Sequence, residues 1–486
     1  MKKKILIINP PPWGVDMFPL PASCIHSFLD RYFESEFKDL NRDIYDYLKK
    51  EKLWKQENVH VWVMENTCKQ IYQRSAYIID RYIDYINTFQ PDYIGISLTC
   101  GATLQFVRRL LLDIKRRAKY NVNIICGGSI NHTEQFTKIV MSVLQNTVDF
   151  FVRGEGEEVV YRIVKQKSLS TIHTVPNIYV NTKIIQFYYN DFSHFKDISE
   201  PNYHFTYEKN QNPNLKRYPF LQPPKNLYSQ KYAQTQIMPF FLTRGCDSRC
   251  AFCNDSIKYK GIRYKKINRI VKELEYDIRN YNKKTFYLHD LLINGDNVFL
   301  EKLCKKIIQK KLDITLSGYF RIDRYMTHQR AELLKKAGFQ LVIGVDNFSD
   351  KILQKMNKHY RYNDIVNNLK ILSEKKVNYK INYILGFPGE TEFDFYDQLK
   401  KFHNMKRFIP AIDALGALSV NVDSLIDLYP EKYGIIVPDV EQMHNKWYTK
   451  NKDNTQEIRK KRVKIFKNAA NKFGIPIGYT NTEDQL

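Results

Sequence analysis

Two rhythms of apolar and polar residues divide this chain. Residues 4–9 read KILIIN, a short β-branched run halted by Pro10, Pro11 and Pro12. That is the pattern of a buried parallel strand running into a loop. Residues 59–64 (VHVWVM), 93–98 (YIGISL), 122–126 (VNIIC) and 149–154 (DFFVRG) repeat it. Between the third and fourth runs, Phe106, Leu110, Leu111 and Ile114 recur at helical spacing, with arginines and lysines on the opposite face. Strand, helix, strand at this length predicts right-handed crossovers and a Rossmann-like, doubly wound parallel sheet over 1–165. Ligands approach such a sheet at the carboxyl ends of its strands. Those ends carry NPPP, SLTCGAT, CGGS and RGEGE, where small residues let a ligand come close to the backbone.

Residues 166–235 differ in texture. PNIYVNTKIIQF reads as a hairpin turning near Asn181 and Thr182, and the Pro- and Asn-rich NQNPNLKRYPFLQPPKN as a linker between domains. From 236 a second series begins, with strand runs at 238–243, 285–290, 314–321, 341–347, 380–387 and 414–421. One intervening helix starts from an N-cap at Thr327 and stops at Gly338; another opens on a capping box from Thr391 to Asp394. Six βα units predict a partial barrel over 236–405, with its chemistry at the C-terminal ends of the strands. The remainder, 406–486, ends the barrel and loses the alternation. It predicts a mainly helical region that caps a substrate, with Tyr429, Trp447 and Tyr448 as pocket-lining or core residues.

The 486 residues exceed one ordinary core, and 43% hydrophobic with 26% charged residues excludes a disordered chain. Eight cysteines are too sparse for a disulfide scaffold. MKKKILIINPPPW lacks a signal-peptide core, and no run of about 18 apolar residues predicts a membrane span. A cytoplasmic protein is expected. The formal charge is +24, from 76 Lys and Arg against 52 Asp and Glu. The basic residues are dispersed through helical stretches such as 457–473, which predicts solvated helix faces rather than a nucleic-acid partner.

Chemistry concentrates at 243–255, TRGCDSRCAFCND, directly after the first barrel strand. Cys246, Cys250 and Cys253 stand at C-x3-C-x2-C spacing with no fourth cysteine nearby. A structural zinc site takes four ligands and would have to recruit the distant His289 or Cys304. Iron–sulfur clusters suit thiolates. Three thiolates leave one iron open to a ligand, so the cluster acts on what it binds. Phe252 adds an apolar wall beside that iron. Cys24, Cys68, Cys100, Cys126 and Cys304 read as buried small apolar residues, and His26, His60 and His132 have no partner spacing.

CDSRCAFC resembles the signature of the radical S-adenosylmethionine (SAM) enzymes. GYFRIDRYMTHQRAELLKKAGFQLVIGVDNFSDKILQKMNK and YILGFPGETEFDF match the same family in order. The resemblance implies a [4Fe–4S] cluster on Cys246, Cys250 and Cys253, SAM chelated at the open iron, and one-electron cleavage to a 5′-deoxyadenosyl radical. It also implies that Asp290 contacts the methionyl amino group and that Phe252, Arg321 and Asp346 line the SAM pocket. The turn through Gly386, Phe387, Pro388 and Gly389 would approach the adenine. Two positions depart from the family: the usual Gly-Gly-Glu after the second strand reads LHDLLINGD, and the usual Glu after the fourth is Asp346.

The N-terminal half resembles the cobalamin-binding domain that precedes this barrel in one large subclass. The likeness covers ILIINPPPW, KDLNRDIYDYL, PDYIGISLTCGAT, IICGGSINHTE and VDFFVRGEGEEVV. It implies cobalamin beside Asn9, Pro10, Ser97, Thr99, Gly127, Gly128 and Glu155. No Asp-x-His-x-x-Gly occurs, which implies cobalamin held without a histidine ligand, or a domain that has lost it. Together the resemblances imply a cobalamin-dependent radical SAM methyltransferase acting on an unactivated carbon of a small molecule. An electron donor such as flavodoxin or ferredoxin would feed it. A cyclase or rearrangement enzyme of the same subclass is the nearest alternative. A non-catalytic iron–sulfur redox sensor that binds nucleic acid is the third.

Overall fold

The chain forms two compact units, Met1–Thr235 and Gln236–Leu486. This computed structural model describes residues 2–55, 58–129, 134–144, 146–166, 178–180, 188–189, 232, 235, 237–255, 261–438 and 446–481.

In the first unit β1 (Lys4–Asn9), β2 (Glu34–Asp39), β3 (Tyr93–Ser97), β4 (Asn123–Gly127) and β5 (Phe150–Val152) lie parallel, ordered β2-β1-β3-β4-β5. The order reverses between β1 and β3, the switch point where such sheets open a ligand crevice. The β6 (Ile178–Val180) and β7 (Tyr188–Tyr189) strands extend the β5 edge as an antiparallel pair. Asn181 and Thr182, expected at their turn, lie outside the described residues, as does most of the expected linker. The helix Leu104–Arg117 buries Phe106, Leu110, Leu111 and Ile114, as its spacing predicts.

One expected strand is a helix. Residues 59–64 contain the short helix His60–Val63, and the second strand is Glu34–Asp39 instead. The β2 strand sits at the sheet edge and buries alternate residues, Ser35, Phe37 and Asp39. Its one large apolar side chain leaves no hydrophobic run to read. In 60–63 only Trp62 is buried. Its ring lies 5.2 Å from Trp54 and 6.1 Å from Phe106, and its indole N–H donates to the Leu53 carbonyl. A single anchored ring, rather than an alternating face, holds this segment.

The second unit is built on a seven-stranded parallel sheet ordered β18-β15-β14-β13-β12-β11-β8. Its main strands are β8 (Ile237–Phe240), β11 (Thr285–Leu288), β12 (Thr315–Arg321), β13 (Phe339–Asp346), β14 (Asn378–Leu385), β15 (Ile412–Ala417) and β18 (Ile477–Asn481). Two antiparallel pairs flank it: β9 (Thr243–Arg244) with β10 (Arg263–Tyr264), and β16 (Ile435–Ile436) with β17 (Tyr448–Thr449). The six expected strands appear in order, and β18 adds a seventh beside β15. The Thr327 hydroxyl caps the helix His328–Lys336. Gly338 stops it at φ +80°, where a Cβ would lie 1.9 Å from the Ile314 carbonyl oxygen. Thr391 and Asp394 form the reciprocal capping box expected of them. Among the described residues no helix is long and apolar enough to cross a membrane.

Candidate active site

Beyond β8 and β9 the chain turns at Gly245, where φ is +97°, and enters the three-cysteine loop. Cys250 is buried, and Cys246 and Cys253 are half-buried. Neighbouring segments hold this loop by hydrogen bonds. The Ala251 N–H donates to the Met356 carbonyl (2.9 Å), and Asn357 Nδ2 donates to the Arg249 carbonyl (2.8 Å). From the segment after β15, Asn421 Nδ2 reaches the Phe252 carbonyl (3.0 Å) and the Ile426 N–H the Ala251 carbonyl (3.2 Å). Arg321, at the end of β12, donates from Nη1 to Ser248 Oγ (3.0 Å). A loop held from three strand ends is pre-organised, which a cofactor site needs.

Burial pushes the Cys246 thiol up, and hydrogen bonds from Ser248 oppose it. Among the described residues no three His, Cys, Asp or Glu side chains converge on a single metal ion. Accordingly, neither His289 nor Cys304 completes a zinc site there. Cys304 is buried in the helix Asn297–Gln309, and burial lifts its thiol to about 12. Burial takes His289 down to about 4, with its ring 5.2 Å from Tyr287. A cuboidal cluster needs thiolates on separate irons rather than a common point, and three thiols on one loop fit it.

Arg321 reaches this loop directly, and Asp346 approaches it through Lys358. The Arg321 guanidinium also donates to the Lys358 carbonyl and lies 5.9 Å from the Tyr360 ring. Asp346, at φ +60°, is buried and ion-paired with Lys358. The Lys358 ammonium sits 5.0 Å from the centre of the Phe252 ring, inside the cysteine loop. Burial works to discharge Lys358, but the Asp346 carboxylate overrides it, with help from Tyr360 and Cys250, and holds the ammonium charged. Sequence reasoning missed Lys358. Its one signal is a lysine in the KMNKHY segment of a barrel loop, which looks like a solvated residue until the chain is folded.

Asp290 is engaged by the backbone just before the cysteine loop. It is 2% exposed. Its carboxylate accepts from the Leu242 N–H (2.9 and 3.1 Å), the Thr243 N–H (2.6 Å) and Thr243 Oγ1 (2.7 Å). Burial raises its pKa to about 6, against the pull of these hydrogen bonds.

The turn after β14 is gripped from the C-terminal segment. Gly386 has φ +73°, and a Cβ there would lie 2.4 Å from Arg459 Cγ. Asn454 Nδ2 donates to the carbonyls of Gly386 and Phe387 (3.1 and 3.3 Å). Glu390 accepts from the Gly386 N–H (3.0 Å) and from Arg462 Nη1 (3.0 Å). Gly386, Phe387 and Pro388 are buried and Gly389 half-buried. Arg459 lies 3.8 Å above the Trp447 ring and donates to the Trp447 carbonyl. Trp447 is therefore core, packed with Ala251, Phe387 and Leu418, while Tyr429 is half exposed.

In the first unit Asn9 is buried and donates to Asp39 (2.9 Å), which also accepts from the Tyr232 hydroxyl. Pro10 is buried, and Ser97, Thr99, Gly127, Gly128 and Glu155 are half-buried at the carboxyl edge. Gly128 adopts φ +126°, and a Cβ would lie 2.3 Å from the Leu98 carbonyl oxygen. Ser129 Oγ donates to the Thr99 carbonyl (2.6 Å). Gln105 Oε1, in the first turn after β3, is buried without a hydrogen-bond partner. Thr99 Oγ1 adjoins the Cys100 thiol but makes no well-directed hydrogen bond. Unsatisfied polar atoms beside a glycine-only turn fit a polar ligand at this edge. His26 is turned to Ser35 (2.9 Å), and His132 lies outside the described residues.

A partial parallel barrel whose first loop presents three thiols fits an iron–sulfur cluster with one iron left open to a ligand. Residues 240–402 match the radical SAM superfamily, which makes this part of the chain a radical SAM domain. Ribosomal protein uS12 methylthiotransferase RimO of Thermosipho africanus is 29% identical over 189 residues, 36% of this chain and 42% of that protein. An uncharacterized methyltransferase of Pyrococcus horikoshii is 23% identical over 320 residues, 63% of this chain and 62% of that one. The chain thus spans less than half the length of the first of these relatives. In structure it is similar to the radical SAM methyltransferase TsrM of Kitasatospora setae, solved with cobalamin and a [4Fe–4S] cluster. The TM-score is 0.66 at 14% identity, covering 91% of this chain and 82% of that one. Another TsrM structure holds tryptophan substrate and a SAM analogue. The likeness to these structures is one of fold.

Proposed function

We propose that this enzyme is a cobalamin-dependent C-methyltransferase acting on an unactivated carbon of a small molecule. One observation carries the reading. A single chain joins a switch-point sheet, with its glycine-only turn at Gly128, to a three-thiol loop at the head of a partial barrel. When bound, the cluster supplies the electron that cleaves SAM, and cobalamin supplies a methyl carrier. The chain's own groups bind and orient. Cys246, Cys250 and Cys253 hold three irons. Arg321 and Lys358 bring two cations to the cysteine loop, and only Lys358 is paired with a carboxylate, Asp346. That surplus positive charge suits the SAM carboxylate. The buried turn at Gly386 and Pro388 offers backbone edges to the adenine, and the Phe252 ring keeps water from the loop. In the first unit Ser97, Thr99, Gly127, Gly128 and Glu155 border the cobalamin, with Asn9 and Pro10 shaping the floor beneath. The tryptophan found in TsrM supports a small-molecule substrate. The net charge of +24 suits a small acidic electron donor such as flavodoxin or ferredoxin.

Anaerobic reconstitution of the full chain should give a cluster spectrum and cleavage of SAM. Cys250→Ala should lose both, and cleavage that survives this change sinks the reading. With a substrate in hand, methyl-labelled SAM should transfer its label to product. An unlabelled product would favour the cyclase or rearrangement alternative.

A further inference from the structure

We propose that Asp290 is a positioning residue of the cysteine loop, and that its carboxylate serves the loop's entry rather than a bound cofactor. The inference rests on the radical SAM reading of that loop. The last ladder bond between β8 and the β11 segment runs from the His289 N–H to the Phe240 carbonyl (2.8 Å). Past it, β8 has no further strand partner on this side. Asp290 takes the place of one: the next backbone donors, Leu242 and Thr243, turn their N–H groups onto its carboxylate. The Thr243 hydroxyl adds a further donor to Oδ1.

A carboxylate has about four acceptor positions. The three donors of Leu242 and Thr243 make four contacts with this one. Three of those contacts fall on Oδ1, and with Asp290 2% exposed its carboxylate is turned to its own backbone and closed off from an incoming ammonium group. The held residues stand immediately before Arg244, Gly245 and Cys246. On the far side, Arg321 holds Ser248. The strand ends of β11 and β12 therefore grip the first cysteine from before and after. Here the carboxylate that replaces the usual Gly-Gly-Glu works on the protein's own backbone.

The test is Asp290→Asn in the full chain, with Thr243→Val as a milder second variant. Asparagine keeps the shape but turns a donor toward the Leu242 and Thr243 N–H groups. Valine removes only the hydroxyl contact. After anaerobic reconstitution, Asp290→Asn should lose bound iron and sulfide. Its remaining cluster should show an altered, broadened EPR signal, while the affinity of the loaded fraction for SAM stays that of wild type. Thr243→Val should change the EPR signal in the same direction, by less. Should Asp290→Asn fail to fold, Thr243→Val alone decides. Full loading with an unchanged EPR signal but weakened SAM binding overturns the proposal and restores Asp290 as a cofactor ligand. Unchanged loading, EPR signal and SAM binding in both variants overturn it as well. If wild type takes up no cluster, the underlying reading fails first, and that result is distinct from either.

Discussion

At the scale of single residues, the buried charges decide most. Asp277, on the helix Ile267–Tyr281, is 4% exposed. Burial, then the Glu273 charge, lifts its pKa to about 8, although Lys265 pulls it down. The unfolded chain ionises such a group near 3.9. Between about pH 4 and pH 8 the unfolded state therefore holds fewer protons at this site than the folded state, and stability falls as pH rises through the window. Asp277→Asn should raise the thermal midpoint at pH 8.5 and raise it much less at pH 5. A pH-independent shift in differential scanning calorimetry would contradict this. The site was legible where its chemistry is local: the three cysteines lie within one loop, so spacing alone exposed them. Lys358 was not, because its partner Asp346 and the Phe252 ring come from other segments. Nor could spacing tell that Asp290 is engaged by Leu242 and Thr243, which lie far earlier in the chain.

Among elements, the C-terminal helix Gln456–Lys472 is the least expected partner of the site. It was read as part of a cap over substrate, yet Arg459 and Arg462 are buried against the Gly386–Glu390 turn. The Arg462–Glu390 pair has side chains only 2% and 0% exposed. Removing one partner of such a pair strands the other charge and costs about 3–5 kcal/mol. Arg462→Met should lower the thermal midpoint and weaken SAM binding while leaving iron content unchanged, because the cysteine loop draws its hydrogen bonds from other segments. Equilibrium dialysis with SAM, beside an iron assay, checks both halves. Loss of iron in proportion to loss of SAM binding would refute the separation. The element pattern explains what the sequence showed at this scale. The internal strands β12, β13 and β14 bury alternate residues over seven or eight positions and read clearly. The sheet edges did not: β2 is mostly polar, and β18, IGYTN, is short and holds a glycine. An edge strand needs apolar residues on fewer sides, so its hydrophobic signal thins.

For the whole molecule, two sheets of different order frame two candidate sites. The partial barrel was readable because its six strands come in a regular βα series, and the first unit because glycines follow its strands. What neither pattern states is whether a protein histidine would ligate the proposed cobalamin. The chain has no Asp-x-His-x-x-Gly. In the first unit His26 is engaged with Ser35 and kept neutral by burial, against the pull of Asp30. His60 lies in the short helix His60–Val63, not on a strand. As the sequence resemblance implies, cobalamin is expected to bind without protein imidazole. The full chain grown with ¹⁵N-histidine and loaded with cob(II)alamin should give the same EPR spectrum as unlabelled protein, and His26→Ala and His60→Ala should retain binding. Gly128→Ala should abolish it, because the added Cβ would meet the Leu98 carbonyl in a backbone conformation that disfavours any side chain. That variant should still take up iron on the second unit's loop. A nitrogen splitting that changes with the label would place a histidine on cobalt and refute the assignment. Cobalamin binding by Gly128→Ala at wild-type affinity would remove the β3–β4 edge from the site.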